Sequence, residues 1–201
     1  GHYSKSLRTK FLSLTSAGKI SEHKKNTIIR SINHINLHIQ PGDKIALIGG
    51  NGAGKTSLLK IISGIYKPTH GNCFTKGRIT SLLGNEFSLT EDATGYQNIL
   101  MGGILLGYRL KEIRKKIPDI EAFTELGEFL NMPVRTYSTG MKARLAFGIA
   151  TCMQPDIFLI DEGIGTGDTS FMHKAQQRLH EFMSNANILL IASHSESLLS
   201  T

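Results

Sequence analysis

Residues Gly49 to Thr56 read Gly-Gly-Asn-Gly-Ala-Gly-Lys-Thr and match the pattern G-x-x-x-x-G-K-[ST]. Closely spaced glycines let a backbone curl until successive N–H groups face one anion. A helix that follows adds the positive end of its dipole. In such a loop Lys55 is expected to reach the β- and γ-phosphates of a nucleoside triphosphate, and the Thr56 hydroxyl to ligate Mg²⁺. The candidate phosphate-binding set is Gly49, Asn51, Gly52, Ala53, Gly54, Lys55, Thr56 and Ser57.

Two further segments carry matching chemistry. Ile157 to Ile160 is an apolar run that ends in Asp161 and Glu162. If this strand lies beside the one before the glycine loop, its C-terminal end faces the γ-phosphate. Asp161 is then a candidate Mg²⁺ holder and Glu162 the group that orients or deprotonates the attacking water. His194 follows the apolar run Ile188 to Ala192. A lone histidine there is often structural, but its place after the other two motifs makes it a candidate γ-phosphate contact.

A fourth segment, Tyr137 to Met141, runs into Lys142-Ala143-Arg144-Leu145-Ala146-Phe147. Ser138 and Gly140 at the start of a helix make a second anion-receptive place, with Thr139 and Met141 between and after them. The same pattern fits a helix merely N-capped by Ser138. One chain has no need of two phosphate cradles for one ATP. They make sense if this one closes over nucleotide held by another subunit.

The elements that must position these residues follow from periodicity. Ile45 to Ile48 reads as a buried parallel strand, preceded by a Pro41-Gly42-Asp43 turn and followed by a helix over Thr56 to Ser63. Further strands are expected at Arg78 to Leu83, Ile157 to Ile160 and Ile188 to Ala192, and a mostly helical stretch over about Tyr96 to Met153. The alternation of Ile35, Leu37 and Ile39 predicts a half-exposed strand. Leu7, Phe11 and Leu14 among Lys5, Arg8 and Lys10 predict a short basic amphipathic helix over Tyr3 to Leu14, and the polar stretch Ser16 to Asn26 a loop. The fold class is α/β, with two parallel-sheet portions flanking a helical insertion.

The bulk properties narrow the function further. The 201 residues fit one large domain, or a domain with a sub-domain. A net charge of +7 favours polyanionic partners without choosing among nucleotide, nucleic acid and an anionic membrane face. The densest basic run, Arg109 to Lys116, reads as the solvated face of a helix. Cys73 and Cys152 lie far apart and outside any CxxC pair, which argues against a disulfide framework or zinc site. No apolar run is long enough for a transmembrane helix, and no secretory signal pattern opens the chain.

These four segments, in this order, resemble the nucleotide-binding domains of ABC transporters, from about Ile28 onward. The resemblance implies a P-loop NTPase (RecA-like) parallel-sheet core with an antiparallel β portion, at about 28–86 and 154–201, and a helical subdomain at about 87–153. It implies ATP and Mg²⁺ as ligands and a homodimer of cassettes. Ser138, Thr139, Gly140 and Met141 would occupy the signature motif that contacts the partner's nucleotide. Gly167 and Asp168 would form the D-loop, carrying information between the two sites.

The signature is usually Leu-Ser-Gly-Gly-Gln, and here Tyr137, Thr139 and Met141 depart from it. Tyr-Ser-Thr-Gly-Met followed by Arg-Leu-Ala-Phe is similar to the bacterial subgroup that exports O-antigen, capsule and teichoic acid. Pro133 to Tyr137 and Leu83 to Phe87 have the same flavour. This implies integral-membrane permease subunits as partners, a lipid-linked polysaccharide as cargo, and a peripheral place on the cytoplasmic face of the bacterial inner membrane. Two features depart from the wider family. The loop after the Arg78 to Leu83 strand lacks the usual glutamine, leaving Asn85 or Glu86 as stand-ins. No aromatic residue sits at the usual spacing to stack on adenine, leaving Phe11 or Tyr3. The chain stops soon after His194, as expected of a short exporter type or of a truncated sequence. A soluble ABC ATPase acting on nucleic acid or ribosomes is the competing expectation. The charge permits it, but those proteins usually carry two cassettes in one chain or long coiled-coil insertions, and this chain has neither; nucleic acid is thus disfavoured as a partner.

Overall fold

The computed structural model describes residues 9–13, 19–23, 26–83, 89–161 and 169–193. The chain divides into two compact units. The first holds strands β1 (Thr9–Ser13), β2 (Lys19–His23), β3 (Asn26–Arg30), β4 (Lys44–Ile48), β5 (Ile79–Leu82), β6 (Ile157–Ile160) and β7 (Ile188–Ser193) and helix α1 (Lys55–Ile62). The second holds helices α2 (Gly95–Leu105), α3 (Leu110–Thr124), α4 (Thr139–Ala150) and α5 (Thr169–Asn185), with short 3-10 turns at Gly127–Asn131 and Val134–Thr136.

In the first unit five strands make a parallel sheet in the order β1-β4-β7-β6-β5. The central strands are apolar apart from Lys44 at the start of β4 and Ser193 at the end of β7, as expected where both faces are covered. Ile45, Ala46, Leu47, Phe158, Leu159 and Leu190 are all buried. Leu58, Leu59 and Ile62 of α1 pack into the same core. The turn into β4 is fixed by Asp43, whose Oδ2 accepts from the backbone N of Gln40 at 3.0 Å. Gly42 takes the left-handed φ of 93° that the turn demands.

The structure corrects four sequence expectations. Residues 9–13 are not helical: they form β1, pairing with β4 in the register Thr9↔Lys44 to Ser13↔Ile48. A short segment gains more from capping the open edge of a central strand than from an isolated helical turn. The expected loop over 16–26 contains β2 and the start of β3, an antiparallel pair. Residues 31–40 are not hydrogen-bonded as a strand. Ile35, Leu37 and Ile39 still pack against the core on alternate positions, so the period-2 signal reported burial and not a ladder. Finally, β6 does not lie beside β4, because β7 intervenes.

The second unit is built on the close approach of its helices. A Cβ on Gly103 of α2 would stand 2.6 Å from Ile113 of α3, and one on Gly102 would stand 2.6 Å from Ile149 of α4. Ile99, Ile113, Ile120, Leu130, Leu145 and Ile149 fill the core this creates. α5 joins through Phe171, which packs edge-on to Phe123 with centroids 5.3 Å apart. Arg178 lies over the Phe123 ring, its guanidinium 4.4 Å from the centroid, and pairs with Asp119.

Candidate functional site

The glycine loop leaves β4 at Ile48 and delivers the chain to α1 at Lys55. Gly52 and Gly54 both take left-handed φ values, 77° and 90°. At Gly54 the need for glycine is double, since a Cβ there would stand 2.4 Å from the carbonyl oxygen of Ser31. Gly54 is also the N-cap of α1 and supplies no side-chain cap. The helix therefore starts with its N–H groups unmasked by any capping side chain, as an anion-binding loop requires. Lys55 is buried, and its Nζ donates to the carbonyls of Gly49 at 2.7 Å and Gly50 at 3.2 Å. The ammonium is thereby held inside the curl of its own loop.

Thr56 Oγ1 donates to Asp161 Oδ2 at 2.5 Å. This contact joins the first turn of α1 to the end of β6, two inter-strand spacings from β4, or about 9.6 Å. It is made possible because α1 lies over β7 and so carries Thr56 toward β6. Asp161 is itself anchored by its backbone N, which donates to Leu82 O at 3.1 Å. The threonine hydroxyl and the carboxylate form an all-oxygen donor set suited to a hard divalent cation. β7 ends at Ser193, level with Ile48 of β4. Glu162, Gly167, Asp168 and His194 lie outside the described residues, as do Tyr3, Asn85 and Glu86.

In the second unit Ser138 is the N-cap of α4, its Oγ accepting from Met141 N at 3.2 Å. Thr139, Gly140 and Met141 form the first turn. Gly140 has open space, with nothing but Ser138 Oγ at 3.9 Å within reach of a Cβ. Tyr137 just before is buried, which pushes its hydroxyl pKa up, and it donates to Phe129 O at 2.5 Å. This segment is tied to the stretch that leads into α2. Val134 N donates to Ala93 O and Arg135 N to Glu91 O, at 2.9 and 2.8 Å. Arg135 pairs with Asp92, and Lys142 with Glu91, each at 2.7 Å. Buried Asn98 staples the loop from inside: its Oδ1 accepts from Thr90 N, and its Nδ2 donates to Thr90 O. Sequence reasoning missed these partners, because charges 43 and 51 residues apart give no local signal.

The family model described as ABC transporter matches residues 32–165, which span the glycine loop, the α4 segment and the Asp161 strand end. The chain belongs to the ABC transporter family. It is a cassette ATPase with the P-loop fold. Over 98% of its length it is 38% identical to an O-antigen export system ATP-binding protein, RfbE, of Yersinia enterocolitica, covering 83% of that protein. An O-antigen export system ATP-binding protein of Myxococcus xanthus, RfbB, is 43% identical over 84% of the chain, which covers 38% of that relative. A teichoic acids export ATP-binding protein of Lactococcus lactis, TagH, is 38% identical over 82% of the chain and 35% of its own length. A solved ATP-binding cassette, a dimer in a post-hydrolysis state bound to ADP and Pi, superposes with a TM-score of 0.66. It is 23% identical and the match covers 90% of this chain and 87% of that one. At that identity the likeness speaks for the ABC cassette fold.

Proposed function

We propose that this ABC cassette is the ATP-hydrolysing subunit of an exporter of lipid-linked cell-surface polysaccharide, of the O-antigen or capsule kind. The observation that carries the catalytic part is the Thr56–Asp161 contact, which brings the glycine loop and the acidic strand end to one point. The cargo class is supported by the names of the relatives, which are O-antigen and teichoic acid export ATP-binding proteins.

In this reading the glycine-loop N–H groups and Lys55 hold the β- and γ-phosphates of ATP. Thr56 and Asp161 would hold Mg²⁺, which would supply charge neutralisation at the phosphates. Glu162 accepts a proton from the attacking water as its oxygen bonds to the γ-phosphorus and the bond to the β-phosphate oxygen breaks, leaving ADP and phosphate. His194 steadies the γ-phosphate by a hydrogen bond. A second copy of the chain presents Ser138 to Met141, whose helix start and hydroxyls complete the site from the opposite side. Gly167 and Asp168 link the two sites. Two cassettes closing on ATP and parting after hydrolysis would drive permease subunits in the membrane, with the cassettes peripheral on the cytoplasmic face. No helix among the described residues is long and apolar enough to cross a membrane.

The test is purification from membranes in mild detergent, with the retained proteins identified and ATP turnover assayed. A multi-span protein retained in equal amount, with glycan-stimulated turnover, is the expected result. Retention of nucleic acid and no membrane protein would overturn the proposal.

A further inference from the structure

We infer that the α2–α3 corner of the helical unit is a docking surface for an anionic lipid bilayer, touching the headgroups directly and not only through a membrane subunit. Within that unit, α2 ends in an apolar stripe that is largely uncovered. Leu105 is 85% exposed, Ile104 50% and Met101 37%, and Leu110 at the start of α3 is 46% exposed. Positions 101, 104 and 105 share one face of a helix. Isolated exposed leucines need no explanation, but four apolar side chains gathered at one helix–helix turn do.

The basic run on α3 adjoins this stripe. Arg109, Lys111, Arg114, Lys115 and Lys116 are all exposed. Among the described residues Lys111, Arg114, Lys115 and Lys116 make no ion pair. The acids of the same helix make their hydrogen bonds and ion pair with other groups. Glu112 turns back to accept from Arg109 N at 2.8 Å, Asp119 pairs with Arg178 of α5, and Glu121 accepts from Tyr96 of α2 at 2.5 Å. The outward face of α3 therefore carries four cations that, among the described residues, make no ion pair, beside largely uncovered apolar surface. Clustered cations next to an apolar edge match an anionic interface with a hydrocarbon layer beneath it. A polyanion such as nucleic acid would use the cations but leave the leucine stripe without a partner.

The experiment uses the full chain with vesicles of phosphatidylcholine, alone or with phosphatidylglycerol, and measures the bound fraction by co-sedimentation. Binding at least about 10-fold tighter to the anionic vesicles is expected. K111E/K115E should lose at least about 10-fold of that affinity, since each charge near the surface contributes several-fold. K67E/K76E, the same charge change on exposed residues of the other unit, should lose less than about 3-fold. The milder K111Q/K115Q and the apolar variant L105S should each weaken binding, while all four keep wild-type ATP turnover in solution. Equal losses in K111E/K115E and K67E/K76E would reduce the effect to overall charge and overturn the inference. Indifference to the anionic lipid, or binding only when vesicles contain a membrane protein, would overturn it too. None of these outcomes bears on which glycan is carried.

Discussion

Thr56 opens α1 and Asp161 closes β6, and the hydroxyl of one donates to the carboxylate of the other across the end of an intervening strand. If this pair holds the cation, Thr56→Val and Asp161→Asn should each lower ATP turnover at least about 100-fold, or about 2.7 kcal/mol of transition-state stabilisation. Steady-state assays across a Mg²⁺ titration check this. Turnover within a few-fold of wild type in both variants would remove the pair from the site.

Lys55 and Glu162 should fail in different ways. Lys55→Ala removes charge-assisted hydrogen bonds to phosphate and should weaken ATP binding about 10- to 100-fold. Glu162→Gln should leave binding near wild type, slow hydrolysis at least about 100-fold, and raise the dimer fraction with ATP. Equilibrium nucleotide titration, single-turnover kinetics and light scattering separate the two. Swapped phenotypes would exchange the roles.

Gly54→Ala meets two obstacles, a left-handed φ of 90° and a carbonyl oxygen 2.4 Å from the new methyl. A loss of at least about 2 kcal/mol in urea unfolding is expected, together with impaired ATP binding. Gly50, whose added Cβ would meet nothing within 4 Å, is the control. Gly50→Ala should lose less than about 1 kcal/mol.

Asn98 is 3% exposed and satisfies donors and acceptors of the loop before α2. Asn98→Ala removes the side-chain hydrogen bonds to the backbone of Thr90, Ala93 and Thr94 and should cost about 1 to 2 kcal/mol. Loss of hydrogen-exchange protection at Thr90, detected before global unfolding, would localise the effect. Unchanged protection there would mean water replaces the amide.

The two thiols should separate cleanly. Burial pushes Cys152 up to about 11, whereas Cys73 is exposed. At pH 8 the buried thiol is on the order of one part in 1,000 thiolate, so a thiol reagent should label one cysteine fast and the other only on unfolding. The unfolded thiol titrates near about 8.5. The stability this burial contributes is therefore present below that pH and is lost as pH rises toward 11. Two equally fast thiols at pH 8 would contradict the burial.

Legibility in the sequence tracked locality. Eight consecutive residues specify the glycine loop, and the apolar runs at Ile45, Ile157 and Ile188 each became a strand. Strand order was less accessible, because no residue in β6 or β7 records that β7 sits between β4 and β6. The segment at 9–13 misled because its helical spacing is weak, and what decides it is the free edge of β4. Ser138 illustrates a different limit. A serine that caps its own helix and one that faces a phosphate have the same sequence, and the observed cap is compatible with both.

The ties between residues 91–93 and 134–142 have a mechanical reading. Two main-chain bonds and two ion pairs, all between 2.7 and 2.9 Å, span the same short seam. The ion pairs are exposed and each adds at most about 1 kcal/mol, so their value lies in stiffness and not in stability. Two loops that would otherwise hinge separately become one beam, with α2 springing from one end and the Ser138 helix from the other. A push delivered at Glu91 reaches Lys142 with little slack, although 51 residues of chain separate them.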